Sequence, residues 1–329
     1  MRRIIQLASL AVATTLALTL ALGTGAATAQ NFSGKTIRII VPYAAGGTSD
    51  ILARALSNKV GESLGATVVV DNKPGANGVL GSDLVAKSPP DGLTLLLTDV
   101  GGITSAPALG AKLPFDAAKD FAPVTMIAYS PHLAVVNPNV AARTLAELVT
   151  ASKAKAGGFS AATVGAGSAP HLAGALFAKR AGVEWVFVPY KGGAQALTDV
   201  VAGHAHVMFN GMLATLPMVK NNQLRVLAVS SEKRWPTLPE VPTVAESGYP
   251  GFVTGSWQGL LASANTSADV VAKLNAEFGK ALAIPEIRER LMAQGAEPRA
   301  MTSAQFAEFL KSETVKWGQL AKETGIKLE

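Results

Sequence analysis

The stretch TIRIIVPYAAGGTSDILARALSNKVGESLGATVVVDN, residues 36–72, holds one complete unit of architecture. An apolar run ends at Val41, Pro42 and Tyr43 close it, and Gly46 and Gly47 supply a turn. A pattern with Ile51, Leu52, Ala55, Leu56 and Val60 on one face then begins at once. That spacing predicts a helix over 49–65, and the run TVVVDN at 67–72 predicts a second strand. Strand, helix and strand in this order predict a parallel pair joined by a right-handed crossover.

The same alternation continues outward. NGVLGSDLVAKS (77–88) reads as a helix, stopped by Pro89-Pro90-Asp91-Gly92. LTLLLT (93–98) is continuously apolar, as a strand buried on both faces would be. FAPVTMIAYSPHLAVVNP (121–138) is long and extended, a crossover into a second domain. That domain repeats the order: a helix from Thr144, SAATVG (160–165), a helix from His171, EWVFVP (184–189), a helix from Ala194, AHVMFN (205–210) and LRVLAVSS (224–231). The proline-rich segment 234–252 is a connector, since proline fits neither a helix interior nor a central strand. WQGLLASA (257–264) returns as a strand to the first domain, and helices over 267–282, 285–295 and 303–324 finish the chain. The expected fold class is α/β, with two domains and a cleft between them. Residues 30–128 and 252–329 form the first domain, and 129–251 the second.

Composition narrows the class. Half of the 329 residues are apolar (49%) and 16% are charged, enough for packed cores and too ordered a mixture for disorder. Arg2 and Arg3 precede an apolar run from Ile4 to Leu22, and Ala27-Thr28-Ala29 has the small-x-small form of a signal peptidase site. The run approaches spanning length, but the cleavage pattern favours a removed signal peptide, residues 1–29, and a periplasmic protein beginning at Gln30. The chain has no cysteine, so neither a lipid anchor nor a disulfide is available. The net charge of +6 falls to +4 without Arg2 and Arg3, and the basic residues are scattered. No nucleic-acid stripe is present, and no later segment is long and apolar enough to be embedded in a membrane.

In a parallel sheet, ligands bind beyond the carboxyl ends of the strands. Four strand-to-helix loops therefore matter: Pro42 to Asp50, Thr98 to Thr104, Gly165 to His171, and Pro189 to Gly193. The first and last spell VPYAAGG and VPYKGG, one in each half. Paired glycines let a ligand approach the backbone, and a helix that starts there aims free N–H groups and its positive dipole end at the loop. This is an anion site without a cationic side chain; the alternative is an ordinary tight turn. VGAGSAPH (164–171) follows the same logic with Gly167, Ser168 and His171. It is neither a P-loop nor a dinucleotide fingerprint. The spelling GxSxG is expected to be absent, which leaves a nucleophile elbow no anchor, and a Ser168–His171 pair lacks an orienting third group. His204 and His206 read as an i, i+2 pair on one strand face and are taken as solvated; no metal site and no cofactor are expected. Asp50 complements a helix dipole, or else it or Asp99 meets a ligand ammonium or hydroxyl. Tyr43 and Tyr190 either flank a ligand or pack on Pro42 and Pro189.

The motifs VPYAAGGTSDILAR, VVVDNKPGANGVLGSDLVAKSPPDGLTLLL, YKGGAQALTDVVAGHAHVMF and VLAVSSEKRWPTLPEVPTVAESGYPGF, in this order, resemble the tripartite tricarboxylate transporter receptors, the Bug family of periplasmic solute-binding proteins. The resemblance spans the chain after the signal. It implies a type II periplasmic binding fold that closes on a small organic carboxylate, and a membrane permease as partner to a monomeric receptor. Carried over residue by residue, the first loop is Tyr43, Ala44, Ala45, Gly46, Gly47, Ser49 and Asp50; the second is Gly167, Ser168 and His171; the third is Tyr190, Gly192 and Gly193. Thr98, Asp99 and Asn210, at strand ends facing the same cleft, complete the ligand-binding set, with no catalytic residue. Two positions depart from the family's pattern: Tyr43, where many relatives carry Phe, and His206, where many carry an acidic residue. Several charge-assisted hydrogen bonds of roughly 1.5–3 kcal/mol each suffice for the roughly −8 kcal/mol of micromolar binding. A ligand sensor for a signalling protein and an exported hydrolase using Ser168 and His171 are the alternatives.

Overall fold

A computed structural model describes residues 31–326. The expected signal peptide, residues 1–29, lies outside the described residues. Residues 32–326 make one compact unit by contact.

The opening unit has the expected form. β1 (Thr36–Val41), α1 (Thr48–Leu64) and β2 (Thr67–Asn72) follow one another, and β1 pairs parallel with β2 from Thr36 opposite Thr67 to Val41 opposite Asn72. Helix α1 stops because Gly65 takes the left-handed conformation (φ 62°) and its N–H bonds back to Glu62 and Gly61. A 3₁₀ turn leads into α2 (Val79–Ala86), and β3 (Thr94–Thr98) adds to the other edge of β1, again parallel. A π turn at Gly101–Ser105 and a single turn, α3 (Ala106–Ala108), precede β4 (Phe121–Val136), which has 16 residues.

The rest of the chain divides around β4. Beyond it come α4 (Leu145–Ala154), β5 (Phe159–Thr163), α5 (Ala169–Ala181), β6 (Trp185–Pro189), α6 (Gly193–Ala202), β7 (Val207–Gly211), α7 (Met212–Lys220) and β8 (Arg225–Val229). β9 (Gly255–Ser263), α8 (Ala268–Ala283), α9 (Pro285–Ala293), β10 (Glu297–Pro298) and α10 (Ser303–Thr324) follow. The first half of β4 pairs antiparallel with β9, from Phe121 opposite Ser263 to Pro131 opposite Gly255; its second half pairs antiparallel with β7 and β8. One strand thus belongs to two lobes. The strand order is β2-β1-β3-β9-β4-β7-β5-β6, with β8 and β10 also on β4.

Period-two alternation explains the cores. In the first lobe Ile37, Ile39 and Val41 of β1 pack under α1 and α8 with Leu52, Leu56, Leu274 and Phe278, while Ile40 faces Trp257, Phe306 and Trp317 on the other side. In the second lobe Ala134 and Val136 of β4 join Phe177, Phe209 and Phe252, while Leu133 and Val135 join Leu197, Val200 and Leu216. Each sheet half is covered on both faces, which is why its strands read as apolar runs.

Three features depart from the sequence expectation. Helix α7 has no counterpart in it, because Pro217 sits inside the helix and argues locally against one. His204 and His206 lie in the turn before β7 and not on the strand. His204 stands 3.6 Å from Asp199, while His206 stacks on Phe159 with ring centroids 4.6 Å apart. The helix expected from His171 starts earlier, at Ala169, because Ser168 caps it.

Candidate functional site

Leaving aside the single turn α3 and α9, which follow Ser105 and Ile284 without a side-chain cap, the helices fall into two groups by how they begin. α4, α5, α8 and α10 start after Thr144, Ser168, Ser267 and Thr302, whose hydroxyls accept a first-turn N–H. α1, α2, α6 and α7 start after Gly47, Gly78, Gly192 and Gly211, with no side-chain cap. Their first-turn amides have no acceptor within the helix. All four of these starts lie at the gap between the lobes.

The gap is nearly shut. Ala44 N–H donates to Lys191 O at 3.3 Å, and Ser105 Oγ donates to Gly167 O at 2.7 Å, both across the lobes. A side chain at Gly192 would place its Cβ 2.8 Å from Ala44 Cβ, and one at Gly211 2.8 Å from Thr48 Oγ1. Glycine is required at both turns for this approach. What remains at the centre is a polar cavity of about 30 Å³, lined by Tyr43, Gly47, Thr48, Ser49, Asp99, Ser256 and Gln258 from one lobe and Val164, Pro170, Gly193, Asn210 and Gly211 from the other. A larger cavity of about 780 Å³ lies outward, with Tyr43 and Val164 in both walls; Asn77, Val79, Lys112, Leu113, Tyr190 and Lys191 also line it.

Within the small cavity the polar groups are unevenly satisfied. Gln258 is fully buried on β9, and both its Oε1 and Nε2 lack a partner. Asn210 Nδ2 donates to Thr215 Oγ1 at 3.0 Å. Ser49 is 3% exposed, at the uncapped start of α1. Tyr43 is buried, and its hydroxyl donates to Asp99 Oδ1 at 2.5 Å; Gly101 N–H donates to the same oxygen at 3.0 Å. Burial pushes both groups upward, the Tyr43 hydroxyl well above its ordinary range with the Asp99 charge adding to the effect. The Asp99 carboxyl rises by burial, against its hydrogen bonds from Tyr43 and Gly101.

The other expected residues fall in distinct places. Asp50 is buried, but it accepts Gly46 N–H at 2.9 Å and Arg54 Nε at 3.0 Å. Burial raises its carboxyl, yet Arg54 and the Gly46 amide outweigh that and hold it low. Ala45 and Gly46 are exposed at the rim. Thr98 is buried on β3 beneath Asp99. In the second loop Gly167 N–H donates to His171 Nδ1 at 2.9 Å, and Ser168 Oγ accepts the His171 backbone N–H at 3.3 Å. The Gly167 and Ser168 amides are engaged within that loop, and the Ser168 hydroxyl accepts from the His171 backbone, not its ring. Burial lowers His171 to about 4, and its ring packs edge-on against Phe187 at 4.7 Å. Tyr190 is half-buried in the outer cavity, raised to about 12 by burial and by its bond to Asp199. Among the described residues no cluster of three or more His, Asp or Glu can hold a metal ion. Against the expectation that GxSxG is absent, GESLG at 61–65 spells it, though it matches a nucleophile elbow by spacing alone. Ser63 lies near the end of α1, with its hydroxyl on Glu277 Oε2, and not at a strand-to-helix turn.

Sequence reasoning missed Thr48, Ser256, Gln258 and Asn77. Ser256 and Gln258 had a signal: two polar residues at i, i+2 share one face in the first half of a strand that is wholly buried. Asn77 had a weaker one, in an Ala-Asn-Gly turn. There Ala76 and Asn77 adopt φ 46° and 51°, and both Asn77 amide atoms are buried without a partner.

Two α/β lobes that share a long strand and shut on a polar pocket define the type II periplasmic binding proteins. The chain belongs to the tripartite tricarboxylate transporter receptor family: the model described as "Tripartite tricarboxylate transporter family receptor" matches residues 52–326. Protein BugT of Bordetella pertussis is 37% identical over 306 residues, 92% of this chain and 93% of the relative. Rpa4515 of R. palustris, solved with adipate, superposes with a TM-score of 0.87 at 32% identity, over 89% of this chain and 98% of that one. MatC (Rpa3494) from Rhodopseudomonas palustris, solved with bound malate, gives 0.83 at 30% identity, over 88% and 99%. The family consists of substrate-binding receptors. No described helix is long and apolar enough to cross a membrane.

Proposed function

We propose that the protein captures a small organic carboxylate between its lobes in the periplasm and delivers it to a tripartite tricarboxylate-type membrane permease. The lobes divide at the expected boundaries, 30–128 with 252–329 and 129–251, and the protein works as a monomer after residues 1–29 are removed. One carboxylate group sits at the central cavity, whose volume of about 30 Å³ admits no more than that, and the rest of the acid lies in the outer cavity of about 780 Å³ that shares the Tyr43 and Val164 walls. The amides of Thr48 and Ser49 at the start of α1 and of Gly193 at the start of α6 donate to it, with Asn210 and the Gln258 amide completing the shell.

The observation that carries this reading is the pairing of uncapped helix starts with an unpartnered buried glutamine around one cavity. Helix N-termini attract anions, and a fully buried amide with no partner points to a missing group or water. The adipate and malate of the two solved relatives agree in chemistry. Titration of the mature protein with mono- and dicarboxylates of two to six carbons, followed by melting temperature and calorimetry, is the test. At 100 times Kd a true ligand stabilises by about 2.7 kcal/mol, a rise of several degrees. A panel without any stabilising acid refutes the reading. Loss of uptake of the same acid on deletion of the gene tests the permease, and the mass of the exported protein tests cleavage before Gln30.

A further inference from the structure

The Tyr43–Asp99 pair is an unusual thing to find in an anion pocket. Asp99 lines the central cavity beside Gly47, Ser49 and Gln258. Its two hydrogen bonds, from the Tyr43 hydroxyl and the Gly101 amide, both end on Oδ1. Oδ2 accepts nothing from the described residues and is the atom Asp99 can offer to the cavity. The arrangement is built and not incidental. The Tyr43 hydroxyl is hemmed in by two glycines: a Cβ on Gly78 or on Gly101 would lie 2.8 Å from it. Its backbone carbonyl is held by Asn72 Nδ2 at 3.0 Å. With the ring and hydroxyl so fixed, the carboxylate has one orientation.

We infer that Asp99, oriented by Tyr43, selects acids that carry a hydrogen-bond donor on the carbon next to the carboxylate, a hydroxyl or an ammonium. The inference rests on the carboxylate reading of the cavity. A bare acid gripped by the helix starts of α1 and α6 would face a like charge at Oδ2 with nothing between them. A donor on the neighbouring carbon bonds Oδ2 and turns that repulsion into a charge-assisted hydrogen bond. A pocket discriminates in this way most strongly when its own polar atom is left unpaired by the wrong ligand. Asp99 is then a specificity residue, and Tyr43 a positioning residue that acts through it.

Calorimetry on the full mature protein tests this with matched sets of three, four and five carbons: propionate, lactate and alanine; succinate, malate and aspartate; glutarate, 2-hydroxyglutarate and glutamate. The expected result is at least a tenfold preference for the hydroxy or amino acid over the plain one in one set. Hydroxy and amino members compared within that set identify which donor is used. Asp99→Asn is expected to weaken the substituted acid and tighten the plain one, so that the ratio collapses. Tyr43→Phe keeps the carboxylate but frees its orientation, so the ratio shrinks several-fold; this second variant serves if Asp99→Asn does not fold. A plain acid that binds the unaltered protein as tightly as its substituted partner overturns the inference, as does a ratio unmoved in both variants. Both outcomes leave the carboxylate reading standing. Binding of no acid at all overturns both.

Discussion

The two lobes spell the same turn, Val-Pro-Tyr before a glycine pair, and use it differently. In the first lobe Pro42 and Tyr43 are buried, and the tyrosine hydroxyl reaches inward to Asp99. In the second, Pro189 and Lys191 are exposed, and Tyr190 faces the outer cavity and bonds Asp199. The glycines behave alike on both sides: Gly47 and Gly193 line one small cavity and open uncapped helices. The shared part of the motif brings backbone amides together, and the tyrosines, set in different surroundings, tell the lobes apart. A repeated motif thus marks a repeated backbone geometry; the role of each side chain depends on its packing.

The comparison can be broken first by acid. All four histidines lie in β4 or the second lobe, and none in the first. His132 is fully buried between Thr254 and Ser256 and lowered to about 3 by burial, with Lys316 adding; His171 is lowered to about 4 by burial. A folded pKa below the unfolded one means that the unfolded chain binds the proton first. The stabilisation is therefore complete above about pH 6.5 and is lost as pH falls toward the folded values. At pH 4.5 the loss is roughly 2–3 kcal/mol for each histidine. Glu277 in the first lobe is lowered to about 2: burial pushes it up, but Ser63, Lys273 and Lys280 outweigh that, so its stabilisation goes only below about pH 4.5. Hydrogen exchange between pH 6.5 and 4.5 should therefore show the second lobe and β4 losing protection ahead of the first lobe. Equal loss in both lobes would contradict this.

The likeness of the glycine turns predicts an equal effect from either side. Gly47 has an ordinary φ of −78°, and a Cβ there meets Ala44 O at 3.5 Å and Gly193 N at 3.9 Å, both ordinary contacts, so Gly47→Val should fold. Its branches fill the cavity, and binding should fall at least ~100-fold, about 2.7 kcal/mol. Gly193→Val, whose Cβ comes 3.2 Å from the Asn210 amide, should do the same. A calorimetric titration of each checks it, and unaltered affinity in either would remove that lobe from the site.

The unlikeness of the tyrosines predicts unequal effects. Tyr43→Phe leaves the half-buried Asp99 carboxylate short of a donor and should cost about 1–3 kcal/mol in denaturant unfolding. Tyr190→Phe, at a half-exposed position, should change stability by under ~0.5 kcal/mol. Equal costs would mean that the two turns are used alike after all.

Much of this was readable in the chain itself. Apolar runs of strand length, helix-period patterns and glycine or proline stops predicted β1, α1, β2, β3 and the long β4 nearly to the residue, because these signals are local and agree with one another. Helix α7 was not readable, since Pro217 argues locally against a helix that tertiary packing nevertheless holds. The paired glycine turns marked where the backbone of each lobe reaches the cavity between them, because φ freedom and the missing Cβ are properties of the residue itself. Which polar groups stay free was decided only by the folded lobes: Ser168 Oγ and His171 Nδ1 accept amides of their own turn, whereas Gln258, on a strand far along the chain, arrives in the cavity with neither amide atom satisfied. Local sequence dictates backbone conformation within a few residues. Whether a polar atom ends buried and unpaired depends on neighbours that only long-range packing brings together.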